Sequence, residues 1–152
     1  MLSPELIEEL AGQLYQARKS RKPVRQFSSQ YPEMTVEDGY AIQRAWVARE
    51  IADGRRIKGR KIGLTSRAMQ QASQIDEPDY APLMDDMFFA NGGDIDISQF
   101  IAPRVEVELA FVLAKPLRGP DITLFDVLSA TDYVSPAVEI IDARIEQRDR
   151  DT

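Results

Sequence analysis

The sequence predicts an α+β chain, with a helical segment over residues 1–55 and a β-rich core over residues 56–152. Apolar residues recur at helical spacing in the first third of the chain. Glycine and proline then divide the remainder into short runs with strand-like alternation. Inside the two most apolar of those runs stand three carboxylates, Glu106, Glu108 and Glu139, where uncharged residues are expected.

Residues 4–20 read as an amphipathic helix, because Leu6, Leu10, Leu14 and Ala17 recur on one face, Ser3 suits the N-cap and Pro4 the first turn. Ser20-Arg-Lys-Pro-Val breaks that pattern. A second helix is expected over 36–53, with Thr35 as cap and Asp38 completing a capping box. Its apolar stripe is drawn by Val36, Tyr40, Ile42, Val47 and Ile51, Trp46 packs at the interface, and Gly54 stops it. Further on, Ile57–Thr65 reads as a strand, Ser66–Gln74 as a helix capped by Ser66, and Glu77–Pro82 as a loop because of its two prolines. Met87–Phe89, Asp94–Ile97, Val105–Ala114 and Tyr133–Asp142 are strand candidates, and Thr123–Ala130 a short helix capped by Thr123. The charge-rich segment 143–152 reads as a solvated tail or a helix cut short.

Composition removes whole classes of function. An apolar content of 43% in 152 residues is enough for one buried core. A net charge of −6 works against nucleic acid, whose phosphates need a basic surface. No apolar run reaches bilayer length and no signal peptide opens the chain, so a cytoplasmic protein without a membrane partner is expected. With no cysteine and no histidine, thiol nucleophiles, imidazole bases and ordinary zinc sites are unavailable. Catalysis is left to carboxylates, lysine, tyrosine, hydroxyls, backbone dipoles or a hard cation, which favours Mg²⁺ or Mn²⁺.

Glu106 and Glu108 are two residues apart, so in a strand they share one face with Cα atoms about 7 Å apart. Val-Glu-Val-Glu-Leu also fits the wetted face of an antiparallel strand. Against that, Ala110 and Val112 continue the same face, so the strand reads as buried on both sides further on, and Glu139 repeats the anomaly in Val138-Glu-Ile-Ile. A buried ionised carboxylate costs several kcal/mol, on the order of the desolvation penalty, unless something compensates it. A divalent cation with oxygen ligands is such a compensation. In Lys58-Gly-Arg-Lys-Ile-Gly-Leu-Thr-Ser66, Lys61 shares its strand face with Gly59 and Gly63. It is either a ligand-binding or proton-donating lysine or a charge that blunts a sheet edge. Asp79, after Pro78, reads as turn chemistry. Arg104 suits a surface ion pair or an anionic substrate group, and Asp142 and Arg144 could pair at a strand end.

Lys61-Ile-Gly-Leu-Thr-Ser, Ile75-Asp-Glu-Pro-Asp-Tyr, Arg104-Val-Glu-Val-Glu-Leu-Ala-Phe and Pro136-Ala-Val-Glu-Ile-Ile-Asp together resemble the 2-keto-4-pentenoate hydratase and 4-oxalocrotonate decarboxylase family of the fumarylacetoacetate hydrolase superfamily. The stretch from Leu83-Met-Asp-Asp-Met-Phe-Phe to Leu117-Arg-Gly-Pro is most like members acting on 2-oxohept-4-ene-1,7-dioate. The resemblance implies a Mg²⁺-dependent hydro-lyase of aromatic-compound catabolism, with a small-molecule 2-oxo acid as substrate. It implies Glu106, Glu108 and Glu139 as metal ligands, with Mn²⁺ as the alternative ion, and active-site roles for Lys61 and Asp79. It also implies a helical segment on a mixed β-barrel-like core, assembled as a homo-oligomer. Family members are considerably longer, so a truncated form is expected. A decarboxylase or a non-catalytic partner subunit are the alternatives.

Overall fold

Helix α1 (Pro4–Ser20) starts where the Ser3 side chain accepts the Leu6 N–H at 3.3 Å and Pro4 opens the first turn, where a missing N–H leaves no bond unmade. A computed structural model describes residues 1–146 of the chain. Leu10, Ala11 and Ala17 are buried on one side of α1, and Leu6 and Leu14 pack beside them. Helix α3 (Val36–Ala52) begins with the expected Thr35–Asp38 capping box. Its buried face keeps Ile42 and Val47 of the anticipated stripe, with Tyr40 half-buried, but Val36 and Ile51 at its ends are exposed. The residues facing inward are Asp38, Ile42, Trp46, Val47 and Glu50. Hydrophobicity alone misplaces the ends of this stripe, where carboxylates are held inward by Thr35 and Leu2 at one end and by Arg18 and Arg55 at the other.

Leu2, Leu10, Ala11, Phe27, Ile42, Trp46, Val47 and Met84 form the core of the first compact unit. That unit comprises Met1–Ile101 and the segment from Ala143. A short helix that sequence patterning did not anticipate, α2 (Phe27–Gln30), delivers Phe27 to this core. Trp46 is buried as expected, with the Arg144 guanidinium 4.6 Å from its ring centre. Strands β1 (Ile57–Gly63) and β2 (Asp79–Met84) pair antiparallel, and β2 sends Met84 into the core. The expected loop over 77–82 therefore becomes a strand from Asp79 onward. Pro82 is tolerated because the strand belongs to a two-stranded ribbon, where alternate N–H groups point away from the partner. Helix α4 (Arg67–Ser73) lies between them, capped by Ser66 as expected.

The strands expected at 87–89 and 94–97 are not formed. Tight 3₁₀ turns occupy Asp85–Met87 and Ile97–Gln99. At the second, the Asp96 carboxylate accepts the Ser98 N–H at 2.9 Å, a local bond that competes with extension. The charge-rich terminus also differs from a free tail. Val24 bridges Ile145 in parallel, its N–H donating to Arg144 O at 2.9 Å while the Glu146 N–H donates to Val24 O at 2.8 Å. Residues 147–152 lie outside the described residues.

The second compact unit, Ala102–Asp142, is a long antiparallel pair, β3 (Arg104–Leu113) and β4 (Thr131–Ile141), joined through helix α5 (Leu124–Ala130). Thr123 and Asp126 cap α5 reciprocally. The expectation of a strand buried on both sides is corrected here. Val105, Val107, Leu109, Phe111 and Val138 line one face and are 54–86% exposed, and Leu124, Phe125 and Leu128 of α5 are exposed as well. Among the described residues the two sheets are separate antiparallel pairs, and parallel pairing is confined to the Val24–Ile145 bridge. No helix of the described residues is long and apolar enough to cross a membrane.

Glu50 is fully buried at the end of α3, and its carboxylate is paired with Arg18 at 3.1 Å and with Arg55. Both arginines also reach Asp86, at 2.7 and 2.9 Å, closing a ring of two acids and two bases across α1, α3 and the turn after β2. Removing one member of a buried ion pair leaves the others uncompensated. Glu50→Gln is expected to lower unfolding free energy by about 2–4 kcal/mol, less than a wholly buried pair because the arginines keep some solvent. Urea denaturation checks it. Asp38 is the other buried acid. It accepts the Thr35 and Leu2 N–H groups at 3.1 and 2.9 Å, and these bonds hold its carboxyl below the ordinary aspartate range. A depressed folded pKa gives stability that is complete above the unfolded value and is lost as pH falls through the folded one. Asp38→Asn should therefore flatten the loss of stability below about pH 4, near the ordinary aspartate pKa, while lowering stability at neutral pH. Thermal unfolding across pH 2.5–7, roughly spanning that range, measures the difference.

Candidate metal centre and active site

The register of β3 against β4 sets Glu106 directly opposite Glu139 and Glu108 opposite Ala137. Directly opposed residues share a face, and residues two apart on one strand share it too. All three carboxylates therefore project from one side of the hairpin. An oxygen from each lies within 4.8 Å of the others, with Glu106 exposed and the other two half-buried. Two hydrogen bonds, one backbone–backbone and one to a side chain, pin this register at its ends. The Ala114 N–H donates to Ala130 O at 2.8 Å beyond one end, and the Ala102 N–H to the Asp142 carboxylate at 2.8 Å beyond the other.

Like charges opposed across a sheet destabilise it. Oxygen ligands held at about 2.0–2.6 Å from one cation are separated by at most about 4–5 Å, so the triad has the spread and the hard donor set that Mg²⁺ or Ca²⁺ needs. Ala137, opposite Glu108, leaves room beside the triad that a larger residue would occupy. Arg104 occupies the same face one step before Glu106. The Asp142 carboxylate accepts the Ala102 N–H at 2.8 Å.

Lys61 and Asp79 belong to the first unit, on β1 and β2. Lys61 is opposite Ala81, and Gly63 is opposite Asp79. The lysine and the aspartate therefore share one face as diagonal neighbours, roughly 7–8 Å apart by sheet geometry. The loop assignment of Asp79 concealed this relation, which only strand pairing creates. The same face carries Gly59, with the Phe88 ring against it, 3.3 Å from where a Cβ would stand. The Lys58 ammonium lies over that ring at 4.5 Å. Sequence patterning places Phe88 in a strand, and nothing in its spacing announces this position. Two further contacts hold β2 in place. Tyr80 stacks on Tyr40 of α3 at 4.7 Å between ring centres, and Gln43 donates to Tyr80 O at 3.1 Å.

No family model matches the chain. It is 62% identical over 143 residues to 2-oxo-hept-4-ene-1,7-dioate hydratase of Escherichia coli, covering 94% of this chain and 54% of the relative. It is 46% identical over 144 residues to 2-keto-4-pentenoate hydratase of Paraburkholderia xenovorans, covering 95% and 54%. Among solved structures, 4-oxalocrotonate decarboxylase from Pseudomonas putida G7, complexed with magnesium and adipate, superposes with a TM-score of 0.91 at 36% identity. That match covers 98% of this chain and 57% of the other. The chain thus spans about half the length of the relatives it matches. Over that half, in sequence and in the course of its backbone, it belongs to the family of 2-keto-4-pentenoate hydratases and 4-oxalocrotonate decarboxylases.

Proposed function

We propose that this chain carries the metal-binding and proton-transfer residues of a Mg²⁺-dependent hydro-lyase that adds water to a 2-oxo-alkenoate, or its 2-hydroxydienoate form, in the breakdown of aromatic compounds. The substrate we favour is 2-oxohept-4-ene-1,7-dioate, on the strength of 62% identity to a hydratase named for it. The observation that carries the chemistry is the convergence of Glu106, Glu108 and Glu139 on one sheet face within 4.8 Å. These three would hold the cation, which when bound supplies stabilisation for the negative charge gathering on the substrate's 2-oxygen. Lys61 holds the substrate carboxylate or 2-oxygen through its ammonium and assists proton transfer. Asp79 is the general base: it takes a proton from the water whose oxygen bonds to carbon 4, while carbon 5 gains a proton, so that water adds across the carbon 4–carbon 5 double bond. The product is a 4-hydroxy-2-oxo acid.

The same stabilised enolate serves loss of CO₂, and the likeness to a decarboxylase solved with magnesium supports that second reading. A third, a non-catalytic partner subunit, is supported by the exposed apolar face of β3–β4 and of α5. In the hydratase reading that face belongs to a mixed, barrel-like core of the fumarylacetoacetate hydrolase type, completed by the part of the relatives' length that this sequence does not span. The helical segment 1–55 and the β-rich core 56–152 are then the two parts of a cytoplasmic homo-oligomer's subunit.

Calorimetric titration of Mg²⁺ with oxalate present is expected to give saturable binding. Glu139→Gln or Glu106→Gln should weaken it at least about tenfold, as losses around metal sites do. Unchanged affinity would restore the wetted-strand reading of these acids. For turnover, loss of the dienoate ultraviolet absorbance on adding 2-hydroxyhepta-2,4-diene-1,7-dioate with Mg²⁺ reads hydration. Asp79→Asn should reduce kcat about 10²–10⁴-fold, the range for a general base. Release of CO₂ from 4-oxalocrotonate instead moves the assignment to decarboxylation, and neither product moves it to a partner subunit.

A further inference from the structure

The two glycines flanking Lys61 differ in what stands over them. At Gly59 an added Cβ would meet the far end of the Phe88 ring, which can rotate away. At Gly63 it would fall inside the Asp79 carboxylate, overlapping Oδ1 and lying 3.2 Å from the carboxyl carbon. The carboxylate thus occupies the volume that any other residue at position 63 would fill. Backbone conformation does not require glycine here, because the positive-φ glycines of the chain are Gly54 and Gly92. A residue with a side chain could follow the same backbone path, and what it would meet is Asp79. Asp79 is the cross-strand partner of Gly63, on the face it shares with Lys61.

From this juxtaposition we infer that Gly63 is a positioning residue. Its missing side chain lets the Asp79 carboxylate lie flat across β1, and so fixes where that carboxylate stands relative to Lys61. The inference rests on the role given to Asp79 above, but its geometry can be tested apart from that role. A side chain at 63 forces Asp79 into another rotamer, directed off the ribbon. A base displaced by an ångström or more loses much of its rate even when it is chemically intact.

The test is a double-mutant cycle on the full chain, read by thermal unfolding. Gly63→Ala is expected to lower Tm by about 2–5 °C, because the exposed Asp79 carboxylate must turn away into a less favourable rotamer. In an Asp79→Ala background the same change should cost less than about 1 °C or raise Tm, because alanine restricts the unfolded chain more than glycine does. Gly59→Ala is the steric control and should show no such dependence on Asp79. If Gly63→Ala alone fails to fold, recovery of the folded state in the Gly63→Ala/Asp79→Ala pair supports the inference. An equal loss with and without the Asp79 carboxylate, or a double variant that also fails to fold, overturns it. In turnover, Gly63→Ala should lower kcat with KM little changed and shift the acidic limb of the pH–rate profile. An Asp79→Asn chain that keeps its rate would remove the catalytic role of Asp79 while leaving the outcome of the unfolding cycle intact.

Discussion

Register between β3 and β4 is the constraint on which the candidate metal centre depends. A sheet has a side-chain period of two, so slipping β4 by a single residue would send Glu139 to the opposite face from Glu106 and Glu108. What prevents the slip is not a packed core, because one face of this hairpin is apolar and exposed in the described residues. The pairing is held instead by its length, with Arg104–Val112, nine residues of β3, matched in one register before a shift at Leu113, and by the bonds beyond each end at Ala102 and Ala114. A cation between the carboxylates would add to this. It would replace a like-charge opposition, which opposes pairing by about 0.2–1 kcal/mol at exposed sites, with an attraction from both strands.

The first unit solves a different problem with buried charge. Two of the residues turned inward on α3 are acids, Asp38 near its start and Glu50 near its end. Asp38 is satisfied by backbone N–H donors at the helix N-terminus, where the macrodipole also favours a negative charge. Glu50 stands at the unfavourable end of the same dipole and needs two guanidinium groups to remain ionised there. Arg18 comes from α1, Arg55 from the chain just before β1, and Asp86 from the turn after β2. The ionic ring therefore joins the helical layer to both strands of the β1–β2 ribbon at the end where Ile57 pairs with Met84, opposite the end that carries Asp79.

Much of this was legible in the sequence, and the exceptions share a cause. The caps of α1, α3, α4 and α5 depend on residues three apart, so Ser3, Thr35, Ser66 and Thr123 announced them. The three glutamates were conspicuous because a charge in an apolar run is conspicuous. Failures came where a distant partner decides the outcome. Val36 and Ile51 fit a helical stripe, but at its two ends the hydrogen bonds of Asp38 and the ion pairs of Glu50 turn those acids inward instead. Pro78 and Pro82 signalled a loop, but pairing with β1 made a strand from Asp79. That Glu106 faces Glu139, or Lys61 lies diagonal to Asp79, follows from register, which no local pattern states. Exposure of Val107 or Phe111 was equally hidden, since alternation says that a face is apolar and not what covers it.

Both ribbons obey one further rule that ties their two sets of charges to the same construction. Across from Lys61 stands Ala81, across from Asp79 stands Gly63, and across from Glu108 stands Ala137. In each case the directly opposed side chain, normally the nearest neighbour on that face, is cut to a methyl or to nothing. A strand surface selected only for stability would favour large or β-branched partners, which gain most from cross-strand packing. Small partners forgo that packing and leave open space beside a charged group. Such space is what a ligand or a coordinated ion needs if it is to approach the charge from above the sheet. Arg104, opposite Ile141, lies outside this rule, and Glu106 and Glu139 face one another, where the closeness of two charged groups is itself what a shared cation uses.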